Sequence, residues 1–130
     1  MNFPIKLPES TAGCEVGPIM HHSPGLVRVW YDTEGESSIV WTQIEFRSAL
    51  ATRFTPESAV TERMVVAYSR IAEVPESEWI FDIRKATEQK QQQLMPGVRH
   101  MMVFFDHHGC LEVVAKEVVI TEKVAAPERS

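Results

Sequence analysis

The stretch VRHMMVFFDHHGCLEVVAKEVVI, residues 98–120, decides the fold of this chain. Two apolar runs flank the polar residues Asp106, His107 and His108, which are followed by Gly109. A short polar group that ends in glycine between β-rich segments predicts a hairpin, because glycine adopts the positive φ that a tight turn requires. Residues 101–105 are apolar at five successive positions. Both faces of this strand should therefore be covered, as in the interior of a sheet.

Composition places the chain among ordinary globular proteins. Its 130 residues are 44% hydrophobic and 24% charged, which fits one domain with a core of its own. The net charge is −5 and the charges are scattered, so we expect no nucleic-acid partner, because such binding depends on clustered Lys and Arg. The longest apolar run, residues 101–105, is far shorter than the roughly 20 residues that span a bilayer, so we expect no membrane partner.

The two ends of the chain predict the cellular compartment and the division of the chain into an arm, a domain and a tail. The N-terminus lacks the basic start and continuous apolar stretch of a secretory signal, so we expect a cytoplasmic protein in which Cys14 and Cys110 are free thiols. Residues 1–24 hold four of the eight prolines and follow neither a helical nor a strand period, which predicts an extended N-terminal arm. Residues 25–120 should form a single domain, and residues 121–130 a flexible tail.

The first half of the domain reads mainly as strands. Residues 26–31 are rich in β-branched and aromatic side chains and predict a strand that is closed by the polar loop 32–37. In residues 44–54 larger apolar and polar residues alternate, which favours a long half-buried strand. A helix is the alternative over 42–54, because Thr42 and Glu45 resemble a capping box.

The segment that follows is open to two interpretations. Residues 56–61, which begin with proline, predict a short helical turn. Residues 63–71 contain Met, Val and Tyr and favour a third strand. A helix that continued from Pro56 is the alternative, since it would place Val60, Met64, Ala67 and Ile71 on one stripe.

One principal helix is predicted over residues of about 76–93. Acidic residues lie at its start and lysines toward its end, as the helix dipole favours. Trp79, Ile80 and Ile83 recur at helical spacing, and the Gln-rich residues 88–93 should be solvated. The expected fold is α+β: a single domain with a mainly antiparallel sheet of about five strands and this helix packed on one face.

Potential ligands cluster around the hairpin turn. The candidate ligand-binding residues are His100, Asp106, His107, His108 and Cys110. His21 and His22 of the N-terminal arm could fold back and supply further ligands. Adjacent residues on a strand or turn point their side chains apart, so no metal site and no cofactor are predicted. A turn alone explains Asp and His here, because both tolerate unusual φ. No catalytic residues are assigned, since the sequence shows no pattern that would place a Cys or Ser nucleophile beside a base and an orienting group.

The sequence matches no motif that names a function. A sheet with one helix leaves a second face to be covered, which favours a homodimer or a protein partner. The expected interface residues are Met101, Val103, Phe105, Trp30 and Trp41. The leading hypothesis is a small non-enzymatic binding or regulatory protein that self-associates or binds a partner through its sheet face. The alternative is a small-molecule- or metal-binding domain, or a metal-dependent enzyme, that uses the cluster at residues 106–110.

Overall fold

The predicted hairpin is present and lies mid-sheet. In the computed structural model, which describes residues 2–11, 14, 16–87 and 96–128, the strand Arg99–Phe105 pairs antiparallel with Gly109–Ala115. The turn between them holds His107 at φ 67° and Gly109 at φ 145°. A side chain at Gly109 would also lie against the neighbouring strand, because its Cβ would come within 2.2 Å of the carbonyl oxygen of Thr55.

The described residues form nine strands in two antiparallel sheets. In chain order the elements are β1 (Ile5–Lys6), β2 (Ile19–Ser23), β3 (Gly25–Glu34), β4 (Ile39–Ala49), β5 (Ala51–Pro56), α1 (Glu62–Val65), β6 (Arg70–Glu73), α2 (Glu78–Ala86), β7 (Arg99–Phe105), β8 (Gly109–Ala115) and β9 (Glu117–Val124). The five-stranded sheet has the order β1-β6-β7-β8-β5, and the four-stranded sheet has the order β2-β3-β4-β9. The predicted α+β class with a mainly antiparallel sheet is confirmed.

Two bent ribbons connect the sheets and add two strands to the predicted five, and β1 and β2 supply the other two. A single residue separates β4 from β5 and another separates β8 from β9. The backbone ladder continues across the bend, where Leu50 N donates to Val114 O at 2.8 Å and Lys116 N donates to Arg47 O at 3.1 Å. Strands that change sheet through a bend are typical of corners between packed sheets. The strand predicted over residues 44–54 is thus confirmed over the helical alternative.

The main core lies between the two sheets. Met101, Val103 and Phe105 of β7 face Val29 and Phe46 of the other sheet, and all five side chains are completely buried. Each large apolar side chain buried in this way contributes about 1.5–3 kcal/mol relative to an exposed one. The second sheet therefore covers one face of β7.

Short helical elements cover the opposite face of β7. Met64 and Ala67 pack there against Met102, Phe104 and Cys110. The strand predicted over residues 63–71 is wrong: this segment contains α1 and a turn, and β6 starts at Arg70. Burial at helical spacing outweighs the β-propensity of Val65 and Val66, whose side chains are exposed. The helical turn predicted just after Pro56 is a 3₁₀ turn, Glu57–Ala59.

Helix α2 confirms the predicted principal helix in its first half. Ser77 caps it by accepting a hydrogen bond from Ile80 N at 3.2 Å, and Arg84 and Lys85 lie in its last turn. Residues 88–95, which include the Gln-rich segment, lie outside the described residues.

Residues 1–24 contribute to both sheets. They supply β1 and β2, and they bury Leu7, Thr11 and Cys14. Long-range hydrogen bonds hold this segment, including Leu7 N to Ser69 O at 3.2 Å. Residues 121–124, which were expected in the tail, are the end of β9. Within the part of the chain that the structure describes, no helix has the length and apolar character needed to cross a membrane.

Candidate functional site at the start of helix α2

A buried histidine and a buried glutamate form the base of the site. His100 lies on β7 and Glu112 on β8, both on the sheet face that looks away from the main core. His100 Nε2 lies 2.7 Å from Glu112 Oε1, and the two side chains are 2% and 0% exposed. A charge buried this completely is costly unless its partners satisfy it.

Arg53 supplies the second partner of Glu112. It lies opposite Glu112 on β5, and its Nε and one terminal nitrogen donate to the two carboxylate oxygens at 2.7 and 3.0 Å. Burial alone would raise the pKa of Glu112, but the hydrogen bonds from His100 and Arg53 outweigh this effect and lower the pKa to about 2. Glu112 is therefore a carboxylate and accepts hydrogen bonds from both neighbours.

Ser77 extends the network to the surface. Its Oγ lies 2.8 Å from His100 Nδ1 and accepts a hydrogen bond from Ile80 N. Because the Glu112 carboxylate only accepts, His100 Nε2 donates the hydrogen bond that joins them. In a neutral imidazole, Nδ1 is then the nitrogen that accepts a hydrogen bond from the Ser77 hydroxyl. The result is a continuous chain of hydrogen bonds from a serine hydroxyl through an imidazole to a carboxylate.

Trp79 and Arg53 cover this chain from the helix side. The Trp79 ring meets His100 edge to face, with centroids 5.1 Å apart, and the Arg53 guanidinium lies 4.2 Å from the centroid of Trp79. Such contacts add to burial in holding a helix on a sheet. They fix the first turn of α2 above His100.

Two clefts meet at Ser77. They have volumes of about 520 and 380 Å³, and both are lined by residues 74–78 and by His100. The larger cleft has an apolar wall of Ile80, Phe81 and Val98. The smaller cleft is more polar and is lined by Arg53, Arg63 and Asp82 together with Trp79. Ser77 is half-buried and is shared by both clefts.

The ligand candidates expected around the hairpin turn lie at four separate places. His100 enters the network under α2, whereas His108 Nε2 lies 2.8 Å from the carbonyl oxygen of Cys14. Cys110 is buried against Met64 and Ala67, and burial raises its pKa to about 12, so it is an unreactive thiol.

Asp106 and His107 remain at the hairpin tip. Their ligand atoms lie within 4.8 Å of one another and of Glu57, on an exposed surface. His21, expected as a further ligand, instead contacts Trp30 in the four-stranded sheet, with ring centroids 4.7 Å apart. The structure therefore brings together Asp106 and His107 from the predicted cluster, and adds Glu57.

Most of the expected interface residues are buried in the core of the protein. Met101, Val103 and Phe105 are 0% exposed between the two sheets and offer no surface to a second molecule. Trp30 is 9% exposed, and Trp41 is half-buried on β4. The second sheet thus occupies the face of β7 that was expected to need a partner.

Sequence reasoning missed Arg53, Ser77 and Glu112 as site residues. Glu112 carried a usable signal, because it is the one charged residue in the otherwise apolar strand Gly109–Ala115. A charge at such a position has to be paired. Its partners could not be read from the sequence, because Arg53 and Ser77 lie 59 and 35 residues away along the chain.

Fold and site together define a small α+β protein of two packed antiparallel sheets, with a serine, histidine and carboxylate chain at the start of its main helix. Comparisons with protein-family models, with curated proteins and with solved structures find no match to this chain. The functional argument therefore depends on the geometry of the site.

Proposed function

We propose that this chain binds a small organic molecule, with an apolar part and a polar end, in the clefts beside Ser77. The observation that supports this most is the position of the buried network, which runs from Glu112 through His100 to the point where two clefts meet. Perturbed ionisable groups beneath a concave surface are typical of ligand sites.

The two clefts suit different parts of such a molecule. Phe81 is 54% exposed on the wall of the larger cleft, beside Ile80 and Val98, and can cover an apolar group. Arg63 and the Ser77 hydroxyl line the smaller cleft together with Glu76, Glu78 and Asp82, and they can hold a polar end. The ligand would lie across Ser77.

A dye of this chemistry tests the proposal. 8-Anilinonaphthalene-1-sulfonate carries aromatic rings and a sulfonate, so its fluorescence should rise saturably on addition of the protein. We expect Phe81→Glu to weaken this binding at least about tenfold, because it removes an apolar contact and adds a charge that repels the sulfonate. Fluorescence titration measures the dissociation constant of each variant.

Ile39→Glu is the matched control, because Ile39 is 55% exposed and lies outside both clefts. This variant should bind the dye as the unmodified chain does. Equal weakening by the two substitutions, or dye binding that does not saturate, would contradict a site at the clefts.

A second proposal retains the expected self-association but moves it to another surface. Val65, Val66 and Tyr68 are 47%, 59% and 37% exposed. Val66 and Tyr68 line adjacent clefts that share Pro4 and Arg70, beside the two-residue edge strand β1. A second copy of this chain, related by a two-fold axis, would cover the same patch on both subunits.

Light scattering after size-exclusion chromatography tests this association. The unmodified chain should elute as a dimer at high protein concentration. Val66→Glu should shift it to the monomer, because a pair of charges would be buried at the two-fold contact. Ile39→Glu again serves as the control with similar exposure, and a monomer at every concentration would rule out the dimer.

We also propose that the chain works in the cytoplasm. Cys14 and Cys110 are both buried and unpaired, as expected of thiols in a reducing compartment. Burial raises the pKa of Cys14 to about 12, so it too stays protonated.

A further inference from the structure

We infer that Ser77 is a nucleophile for the hydrolysis of a small carboxylic ester, with His100 as its base and Glu112 as the group that positions the base. This deepens the proposed function, because the clefts beside Ser77 would hold the substrate. It differs from the sequence-based expectation of a protein without catalysis, since the three residues converge only in the folded chain.

The inference starts from two short contacts in series. Ser77 Oγ lies 2.8 Å from one ring nitrogen of His100, and the other ring nitrogen lies 2.7 Å from Glu112. A nucleophile within reach of a base that a third group orients is the arrangement used for covalent catalysis. Here Nδ1 faces the serine and Nε2 the carboxylate. This is chemically sound because, with the hydrogen of the neutral imidazole on Nε2, Nδ1 is the nitrogen that can accept a proton.

Surrounding residues hold the base in place. His100 is 2% exposed, and Trp79 lies against its ring. Glu112 is itself held by two hydrogen bonds from Arg53. The imidazole therefore has one orientation, with its accepting nitrogen directed at Ser77.

The first turn of α2 supplies hydrogen-bond donors beside the nucleophile. Ser77 is the N-cap residue, and its Oγ already accepts from Ile80 N. The backbone N–H groups of Glu78 and Trp79 belong to the first turn of this nine-residue helix, where a helix has no internal acceptor for them. Donors at such a position can stabilise the negative oxygen of a tetrahedral intermediate.

The proposed hydrolysis needs only the ester and water as reactants. Ser77 Oγ forms a bond to the carbonyl carbon of the ester while its proton moves to His100 Nδ1. The bond to the leaving alcohol then breaks, and Nδ1 returns the proton to the alcohol oxygen. Water attacks the acyl group on Ser77 in the same way, which releases a carboxylic acid and restores the hydroxyl and the neutral imidazole.

A fluorophosphonate probe tests whether Ser77 is activated, because such probes form a stable adduct with nucleophilic serines. The full chain should gain the mass of one adduct, and peptide mapping should place it on Ser77. Exposed Ser58 is an internal control for non-specific reaction. Ser77→Asn should abolish the adduct while it keeps the helix cap, since asparagine caps as well as serine.

A second measurement separates catalysis from a purely structural role. Glu112→Gln, studied at a temperature where it is folded by circular dichroism, should slow labelling about a hundredfold or more, because the base loses the group that orients it. Hydrolysis of p-nitrophenyl acetate should decrease in parallel. Absence of an adduct on Ser77, or labelling of Ser58 at the same rate, would overturn the inference.

The same experiments distinguish failure of the inference from failure of the proposed function. Saturable dye binding that Phe81→Glu weakens, together with no adduct on Ser77, would leave a binding site without catalysis. An adduct on Ser77 in a chain whose dye binding does not depend on Phe81 would support the nucleophile and remove the proposed ligand cleft.

Discussion

Replacing Glu112 by glutamine is expected to lower the free energy of unfolding at pH 7 by about 3 kcal/mol. Removal of one member of a buried charge network costs about 3–5 kcal/mol, because the remaining polar groups keep their desolvation penalty. Here the value should lie at the lower end, since the Arg53 side chain is 45% exposed and can regain water. Urea unfolding followed by circular dichroism measures the change.

The four-stranded sheet offers a matched control in Glu45. This carboxylate also bonds two arginines, Arg28 at 2.9 Å and Arg47 at 2.7 Å, but both arginine side chains are about half exposed. Ion pairs in contact with solvent contribute about 0–1 kcal/mol, so Glu45→Gln should cost less than about 1 kcal/mol. Equal effects of the two substitutions would show that burial of Glu112 has no energetic consequence.

The contribution of Glu112 should also depend on pH in a defined window. Its pKa in the folded chain is lowered from 4.5 to about 2, so the unfolded chain binds the proton more readily between these values. The stabilisation is therefore complete above about pH 4.5 and is lost as the pH falls toward 2. The difference in stability between the unmodified chain and Glu112→Gln should disappear over that range, and a constant difference would contradict the assigned ionisation.

Replacing Gly109 by alanine is expected to destabilise the chain by about 3 kcal/mol or more. The new Cβ would lie 2.2 Å from the Thr55 carbonyl oxygen and 2.9 Å from the Phe54 ring. Relief of this overlap would force β5 away from β8, and the φ of 145° adds strain for any residue with a side chain. Thermal unfolding should show a correspondingly large decrease in Tm.

Gly25→Ala is the control that measures backbone strain without steric overlap. Gly25 also has a positive φ, of 76°, but a Cβ there would meet nothing within 4 Å. This substitution should cost about 1–2 kcal/mol, the strain of a left-handed backbone alone. A loss at Gly109 no larger than the loss at Gly25 would show that the close approach of β5 has no effect on stability.

Local sequence patterns predicted the elements whose conformation depends on near neighbours. The hairpin at residues 106–109 follows from turn chemistry, and the strand over residues 44–54 follows from alternation. Ser77 and the acidic start of α2 indicate a helix for local reasons as well. The prediction over residues 63–71 was wrong because Met64 and Ala67 are buried against β7. Their helical spacing supported the alternative interpretation, but the β-branched residues of the segment favoured a strand.

The candidate site was less accessible to sequence reasoning. His100 was identified as a candidate, but it was grouped with Asp106 and His107 because they are close along the chain. Side chains on a strand alternate between faces, and the hairpin carries the turn residues away from the sheet. Proximity along the sequence was therefore a poor guide to the partners of His100.

The sequence by itself determined the α+β class, the central hairpin and the need to cover both faces of β7, because period and turn chemistry act within a few residues. The tertiary structure alone decided what covers those faces and which polar groups meet. Arg53, Ser77, His100 and Glu112 come from four separate elements. They meet because strand pairing and the docking of α2 bring distant segments together. Periodic patterns act over a few residues and do not predict contacts between segments so far apart in the sequence.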